Sequence, residues 1–163
     1  MGGAADPGAD RLRRANRVTE RLRVAPAVDL TTVDTRSTPG LPRAARPGTG
    51  GDGKAWTRAE LSGLGGALRE SQERLVARAR AGGDRRRVLL VLQALDCGGK
   101  DGAIKTVAGA LNPLGVQISA FGPPTPVERA HGFLWRIRRA LPGPGMIAIF
   151  NRSHYEDVLV VRV

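Results

Sequence analysis

The sequence predicts an α/β fold with a parallel sheet, and three observations predict it. From residue 57 onward, helical patterns and short apolar runs alternate as α–β–α–β–α–β, which implies a parallel sheet with covering helices and right-handed crossovers. The first apolar run leads through a glycine-rich turn, "LLVLQALDCGGKDGAIK", directly into a helical pattern. The third ends in a dense polar group, "FNRSHYEDV", at the carboxyl end of a strand, where open parallel sheets place their sites.

The elements follow in order. Residues 1–56 lack sustained periodicity and read as a basic, Pro/Gly-rich flexible segment, with a linker-like "TPGLPRAARPGTGGDG". Within it, "RLRRANRVTERLRV" fits a short basic helix or equally a solvated arm, and "VDLTTVDT" a small extended piece. "TRAE" is a capping-box pattern, predicting a helix that starts at Thr57 with Glu60 three residues on. Leu61, Leu64, Leu68, Leu75 and Val76 share its apolar face, and "AGGD" ends it. Residues 88–95, apolar apart from Gln93, read as a strand buried on both faces. A helix over residues 100–111, a strand over 116–121, a helix in "GPPTPVERAHGFLWRIRRAL" and a strand over 146–150 complete the series. Thr125 is the expected N-cap of that second helix, with Pro126 at N1 and Glu128 at N3. No internal repeat is visible.

Composition bounds the function. The 163 residues suffice for one domain with a real core, and the net charge is +11. The lysines are Lys54, Lys100 and Lys105, so arginine carries nearly all of the positive charge. A composition biased toward Arg and Ala explains this without a partner; the functional alternative is a polyanion. The single cysteine, Cys97, excludes an intramolecular disulfide and a cysteine-based zinc site. No apolar run approaches a membrane span, and the acid-containing start lacks a hydrophobic signal core, so a cytoplasmic protein is expected.

A strand, a glycine turn and a helix start make an anion site, because backbone N–H groups and the helix dipole point at the ligand. Gly98 and Gly99 let phosphate oxygens approach the backbone, and Lys100 can reach bridging or terminal phosphates. The usual spelling G-x-x-x-x-G-K-[ST] is broken twice: Ala94 replaces the first glycine and Asp101 the hydroxyl residue. Asp96 and Asp101 flank the lysine; two acids can hold Mg²⁺ between themselves and phosphates, or one can orient an acceptor phosphate. By itself "GGKDG" is equally a plain turn; the strand before it and the helix after it favour the phosphate loop. In the second cluster, Arg152 can neutralise a transferring phosphoryl group, Glu156 or Asp157 can complete a magnesium site, and Asn151 can hydrogen-bond. His154 and Tyr155 read as ordinary loop and packing residues.

"LLVLQALDCGGKDGAIK", "NPLGVQISAF", "ERAHGFLWRI" and "IAIFNRSHYEDVLVVRV" together resemble the type-2 polyphosphate kinase family, the polyphosphate–nucleotide phosphotransferases. The resemblance is close over residues 85–163 and weaker over 28–80. It implies a P-loop kinase fold, a three-layer α/β/α sandwich, and transfer of a phosphoryl group between inorganic polyphosphate and AMP, ADP or ATP with Mg²⁺ as cofactor. It makes Asp96 and Asp101 the family's own spelling. On the matched positions it implies phosphate binding by Gly98, Gly99, Lys100, Gly102, Asn151 and Arg152, and catalysis by Asp96, Lys100 and Arg152. Asp96 and Asp101 would serve metal and acceptor phosphate, with Glu156 as a further acidic position at the metal. Asn151 in "FNRSHYED" resembles the branch that accepts AMP as well as ADP.

A polyphosphate chain implies a basic channel, with Arg85, Arg86, Arg87, Arg136, Arg138 and Arg139 as candidates. Gly122 stands where the family usually has a lysine. Residues 57–163 match the N-terminal part of the family's domain, so the fold is expected to be incomplete at the C-terminus, lacking the lid and last strands and leaving an exposed sheet edge. The rival expectation is a fragment that binds polyphosphate or nucleotide without turnover. Homo-oligomers are possible partners, whereas nucleic acid and membrane are not expected, since no recognition motif is present.

Overall fold

The structure is a computed structural model that describes residues 7–24, 26–34, 37–46 and 48–159, without the side chains of residues 7, 8, 11, 12 and 159. It divides into two compact units, Met1–Leu64 and Gly65–Val163. The end of the apolar "VLVVRV" run lies outside the described residues.

In the first unit, helix α1 (Pro7–Leu22) covers most of the basic stretch for which a helix or an arm was expected. Its Arg14 bonds Asp10 one turn back at 3.2 Å and Glu60 at 3.3 Å, and lies over the Trp56 ring. The expected extended piece at "VDLTTVDT" is instead a single 3₁₀ turn, Leu30–Thr32, because the Asp29 carboxylate accepts from the Thr31 N–H and fixes the backbone. Thr35 of that stretch is outside the described residues.

Helix α2 (Gly53–Arg80) begins four residues before the expected Thr57 start. Asp52 is the real cap, accepting from the Lys54 and Ala55 N–H groups at 2.9 and 3.0 Å. These bonds hold its carboxyl below the usual range. Thr57 is inside the helix, its hydroxyl donating back to the Gly53 carbonyl.

The second unit holds a three-stranded parallel sheet, with β1 (Val88–Leu92), β2 (Val116–Ala120) and β3 (Ile147–Asn151) in the order β1-β3-β2. The last strand therefore sits in the middle. It is the best buried: Ala148, Ile149 and Phe150 are at most 1% exposed. Phe121 meets Phe150 edge-on at 4.9 Å, and with Ile137 and Ala148 they form the core cluster.

β1 corrects an expectation. Its run was read as buried on both faces, yet Val88, Leu89, Leu90 and Val91 are 37–46% exposed. The strand order accords with this, since among the described residues β1 is an edge strand paired with β3 alone. It also stops at Leu92 instead of residue 95, because Gln93 turns to bond Glu156.

α3 (Lys100–Gly109) crosses from β1 to β2, and its Ile104 is buried. The single helix expected after β2 is two short ones, α4 (Pro126–Arg129) and α5 (Trp135–Arg139). Thr125 and Glu128 form the full capping box predicted for α4. The break falls around Gly132, a residue with little helix propensity. A short α6 (Tyr155–Leu159) follows β3.

One buried amide secures the α3–β2 connection. Gln72 of α2 is 2% exposed; it donates to the Asn112 carbonyl at 2.8 Å and accepts from the Asn112 N–H at 2.7 Å. Gly115 lies against it, where a Cβ would come within 2.6 Å of Gln72 Nε2.

Candidate active site

Register builds the site. Leu92 of β1 and Ala120 of β2 both pair with Asn151 at the end of β3. The residues that leave β1 and β3 therefore meet above the carboxyl edge of the sheet, the place where open α/β sheets bind ligands.

The loop after β1 takes two left-handed residues, Cys97 at φ 62° and Gly99 at φ 79°. Gly99 is suited to this conformation, being free of a Cβ. Gly98 answers a different demand, because a Cβ there would stand 2.8 Å from the Ala94 Cβ and 2.9 Å from the Leu95 carbonyl oxygen. Ala94, the misspelled first position, thus makes glycine obligatory at 98. Gly99 is the N-cap of α3, and its carbonyl accepts the Ala103 N–H. Lys100 and Asp101 open the helix, so the lysine sits at the positive end of the dipole. Lys100 makes no ion pair among the described residues. Gly102 is in the first turn with open space where a Cβ would stand, so sterics place no demand for glycine on it.

The residue after β3 is Arg152, also left-handed at φ 66°. Its N–H continues the sheet by bonding the Leu92 carbonyl at 3.0 Å. The side chain then reaches the loop: one Nη donates to Asp96 at 3.0 Å and the other to Glu156 at 2.8 Å. A non-glycine residue held at positive φ is a strain that persists where the surroundings enforce it, commonly at functional sites. Asn151 donates from Nδ2 to Asp101 at 2.9 Å, tying β3 to the first turn of α3.

The predicted residues thus form two hydrogen-bonded groups beside the loop that carries Gly98, Gly99 and Lys100: Asp96, Arg152 and Glu156 in one, Asn151 and Asp101 in the other. The three acids are not equivalent. Asp96 is 88% exposed, whereas Glu156 is 18% exposed and held by both Arg152 and Gln93. Among the described residues no three acids or other ligating side chains form a metal-binding group.

A magnesium site built on phosphates needs only one or two protein carboxylates. Asp101 and Asp96 meet that demand, and the buried Asn151 Oδ1 beside Asp101 has no partner. The charge pattern is compatible with a cation: Arg152 engages the carboxylates of Asp96 and Glu156, and among the described residues the Asp101 carboxylate is bonded only by the neutral Asn151 amide. Asp96 and Asp101 are the carboxylates that would hold Mg²⁺, whereas Glu156 is engaged by Arg152 and Gln93.

One supporting residue escaped the sequence reading, and one candidate takes a different place. Gln93 follows β1 and bonds Glu156; the signal was a polar residue ending an apolar run. Arg136, expected in a polyphosphate channel, is buried instead. It donates to the Gly122 carbonyl at 2.7 Å and to Asp157 at 2.9 Å, and lies 5.6 Å from the Phe121 ring centroid. Asp157, named with Glu156 as a magnesium candidate, is thus held by Arg136.

Arg85, Arg86 and Arg87 precede β1, at the edge of the sheet away from the loop. Arg86 is paired with Asp84, and Arg87 donates to the Pro142 carbonyl. Arg138 and Arg139 are exposed on α5, with Arg139 over the Trp135 ring.

Comparison with known proteins agrees with this geometry. Residues 54–163 match the family model described as polyphosphate kinase 2. An AMP/ADP-polyphosphate phosphotransferase from Meiothermus ruber is 48% identical over 111 residues, covering 68% of this chain and 40% of that protein. An ADP-polyphosphate phosphotransferase from Rhodopseudomonas palustris is 51% identical over 80 residues, 49% of this chain and 28% of the relative. The crystal structure of polyphosphate kinase 2 from Arthrobacter aurescens superposes with a TM-score of 0.77 at 43% identity, covering 88% of this chain and 47% of that one. The chain therefore spans less than half the length of these relatives. The match to that family model extends over well more than half of the chain, residues 54–163, so this chain belongs to the polyphosphate kinase 2 family.

Proposed function

We propose that this chain takes part in Mg²⁺-dependent phosphoryl transfer between inorganic polyphosphate and a nucleoside mono- or diphosphate, converting AMP or ADP to ADP or ATP. The observation that carries it is the bond of Arg152, just after β3, to Asp96 of the loop that leads into Lys100 at the start of α3. In the reaction, an oxygen of the acceptor's terminal phosphate attacks the end phosphorus of polyphosphate. The bridging P–O bond breaks, and the chain leaves one phosphate shorter.

The residues divide this work by position. Loop N–H groups and Lys100 hold phosphate oxygens, and Gly98 and Gly99 keep the backbone accessible. Arg152 offers its fork to the charge on the transferring group, while Glu156 holds the guanidinium from behind. Asp96, exposed and bonded to the same arginine, is placed to orient the acceptor. Mg²⁺ held at Asp96 and Asp101 would neutralise phosphate charge and align the two substrates.

Among the described residues no helix is long and apolar enough to cross a membrane. A cytoplasmic location suits both substrates.

The test is ³¹P NMR of the purified chain with polyphosphate, AMP and Mg²⁺. The reading expects β-phosphate signal of ADP to grow as polyphosphate end groups shift to shorter chains, and to stop with EDTA. Binding of polyphosphate with no new nucleotide signal would support the fragment that binds without turnover.

A further inference from the structure

We propose that Gln93 is a positioning residue for phosphoryl transfer: it fixes the Glu156 carboxylate, which in turn aims the Arg152 guanidinium at the phosphate loop. The proposal rests on the phosphoryl-transfer reading and adds a residue behind its arginine.

Gln93 interrupts an apolar run, with Val91 and Leu92 before it and Ala94 and Leu95 after it. It follows β1 directly and is half-buried, where an apolar side chain would cost less to fold than an amide. Among the described residues the amide makes one bond, from Nε2 to Glu156 Oε2. Its Oε1 is buried without a partner. An unsatisfied buried carbonyl opposes folding, so the role of this amide lies in its bond to Glu156.

That bond settles the geometry of the next one. The terminal torsion of a glutamate is broad, so a carboxylate held by a single partner can turn. Glu156 is held at both oxygens, Oε2 by Gln93 and Oε1 by one Nη of Arg152 at 2.8 Å. The other Nη of the fork is then left to reach Asp96 at 3.0 Å. The backbone closes the circuit, since the Arg152 N–H bonds the carbonyl of Leu92, one residue before Gln93. The end of β1 therefore holds Arg152 twice, directly through Leu92 and through Gln93 by way of Glu156. This double hold accords with Arg152 staying at φ 66°. A guanidinium fixed before substrate arrives needs no reorganisation as charge develops on the transferring group.

The experiment uses the full chain and two variants. Gln93→Met keeps the length and bulk and removes the donor; Gln93→Glu keeps the shape and sets a carboxylate against Glu156. The first readout needs no turnover: the ¹⁵N relaxation of the Arg152 Nε–H, assigned by its loss in Arg152→Lys. Its order should fall in both variants. The second is steady-state kinetics with polyphosphate, AMP and Mg²⁺. There kcat should fall by up to about 10²-fold, with KM for AMP little changed. Gln93→Met added to Arg152→Ala should cause little further loss, because the two act as one unit. A packing role would leave Arg152 order and kcat of Gln93→Met at parent values, or lower activity by the same factor with and without Arg152. Either result overturns the proposal, as does lower order with parent kcat. Lower order in the variants of a parent chain that shows no turnover overturns the proposed function and leaves the hold of Gln93 on Arg152 standing.

Discussion

Arg152 and Asp96 are 56 residues apart in sequence and joined at 3.0 Å, so the residue that ends β3 holds the loop that follows β1. The same guanidinium is gripped by Glu156 at 2.8 Å. Of these two acids, Asp96 is the exposed one, so an incoming phosphate would share or replace that contact while Glu156 keeps the arginine in place.

The first prediction concerns that arginine. Arg152→Ala should lower turnover by about 10²–10³-fold, the usual effect of removing one donor to transition-state charge. Arg152→Lys should recover little, because an ammonium cannot bridge two carboxylates and a phosphate as a planar fork does. Steady-state rates with polyphosphate and AMP, beside melting curves of each variant, check this. A lysine variant with parent activity would contradict it.

The second concerns Arg136. Its side chain is 8% exposed and paired with Asp157 at 2.9 Å. Arg136→Met leaves that carboxylate without its partner and should destabilise by about 3–5 kcal/mol. Arg136→Met combined with Asp157→Asn should be less damaging than the two effects added. Urea unfolding of the four proteins measures the coupling, and additive losses would show that the pair is not an anchor.

The third concerns the Gln72 clasp. Gln72→Ala removes both bonds to the Asn112 backbone and should cost about 1–3 kcal/mol for each buried group left unpaired. Amide exchange at Asn112 should rise well above that of its neighbours in the sheet. Unchanged protection there would contradict the role given to the clasp.

The fourth is a titration. Asp84 is held down to about 2 from 3.8, first by the Arg86 side chain and then by the Arg86 N–H. A carboxyl with a depressed folded-state value contributes stability that is present above pH ~4 and is lost as pH falls toward ~2. NMR should place the Asp84 midpoint near 2, and Arg86→Ala should return it upward. A midpoint near 3.8 in the parent chain would contradict the pairing.

How much of this was legible in the sequence depends on range. Local signals read well: the Thr125–Glu128 capping box, the glycine loop and the three strands lie where residue types alone put them. Competition between local signals reads poorly, as at Thr57, where the carboxylate of Asp52 captured the helix start first. Strand order is not written in any one strand. The apolar run at residues 88–92 looks like a central strand, yet β3 takes the central place between β1 and β2 and leaves β1 at the edge among the described residues. Arginine is the hardest to read. Arg136 and Arg138 are two residues apart with the same side chain, yet one is buried between carboxylates and the other is exposed.

The most direct test of the account is ATP and ADP formation from polyphosphate and Mg²⁺ with AMP or ADP, comparing the chain with its Lys100→Ala variant. The account predicts nucleotide formation by the parent chain and a loss of about 10²-fold or more in the variant, with both proteins equally folded by circular dichroism. Formation that survives Lys100→Ala, or none in a folded parent chain that still binds polyphosphate, would contradict it.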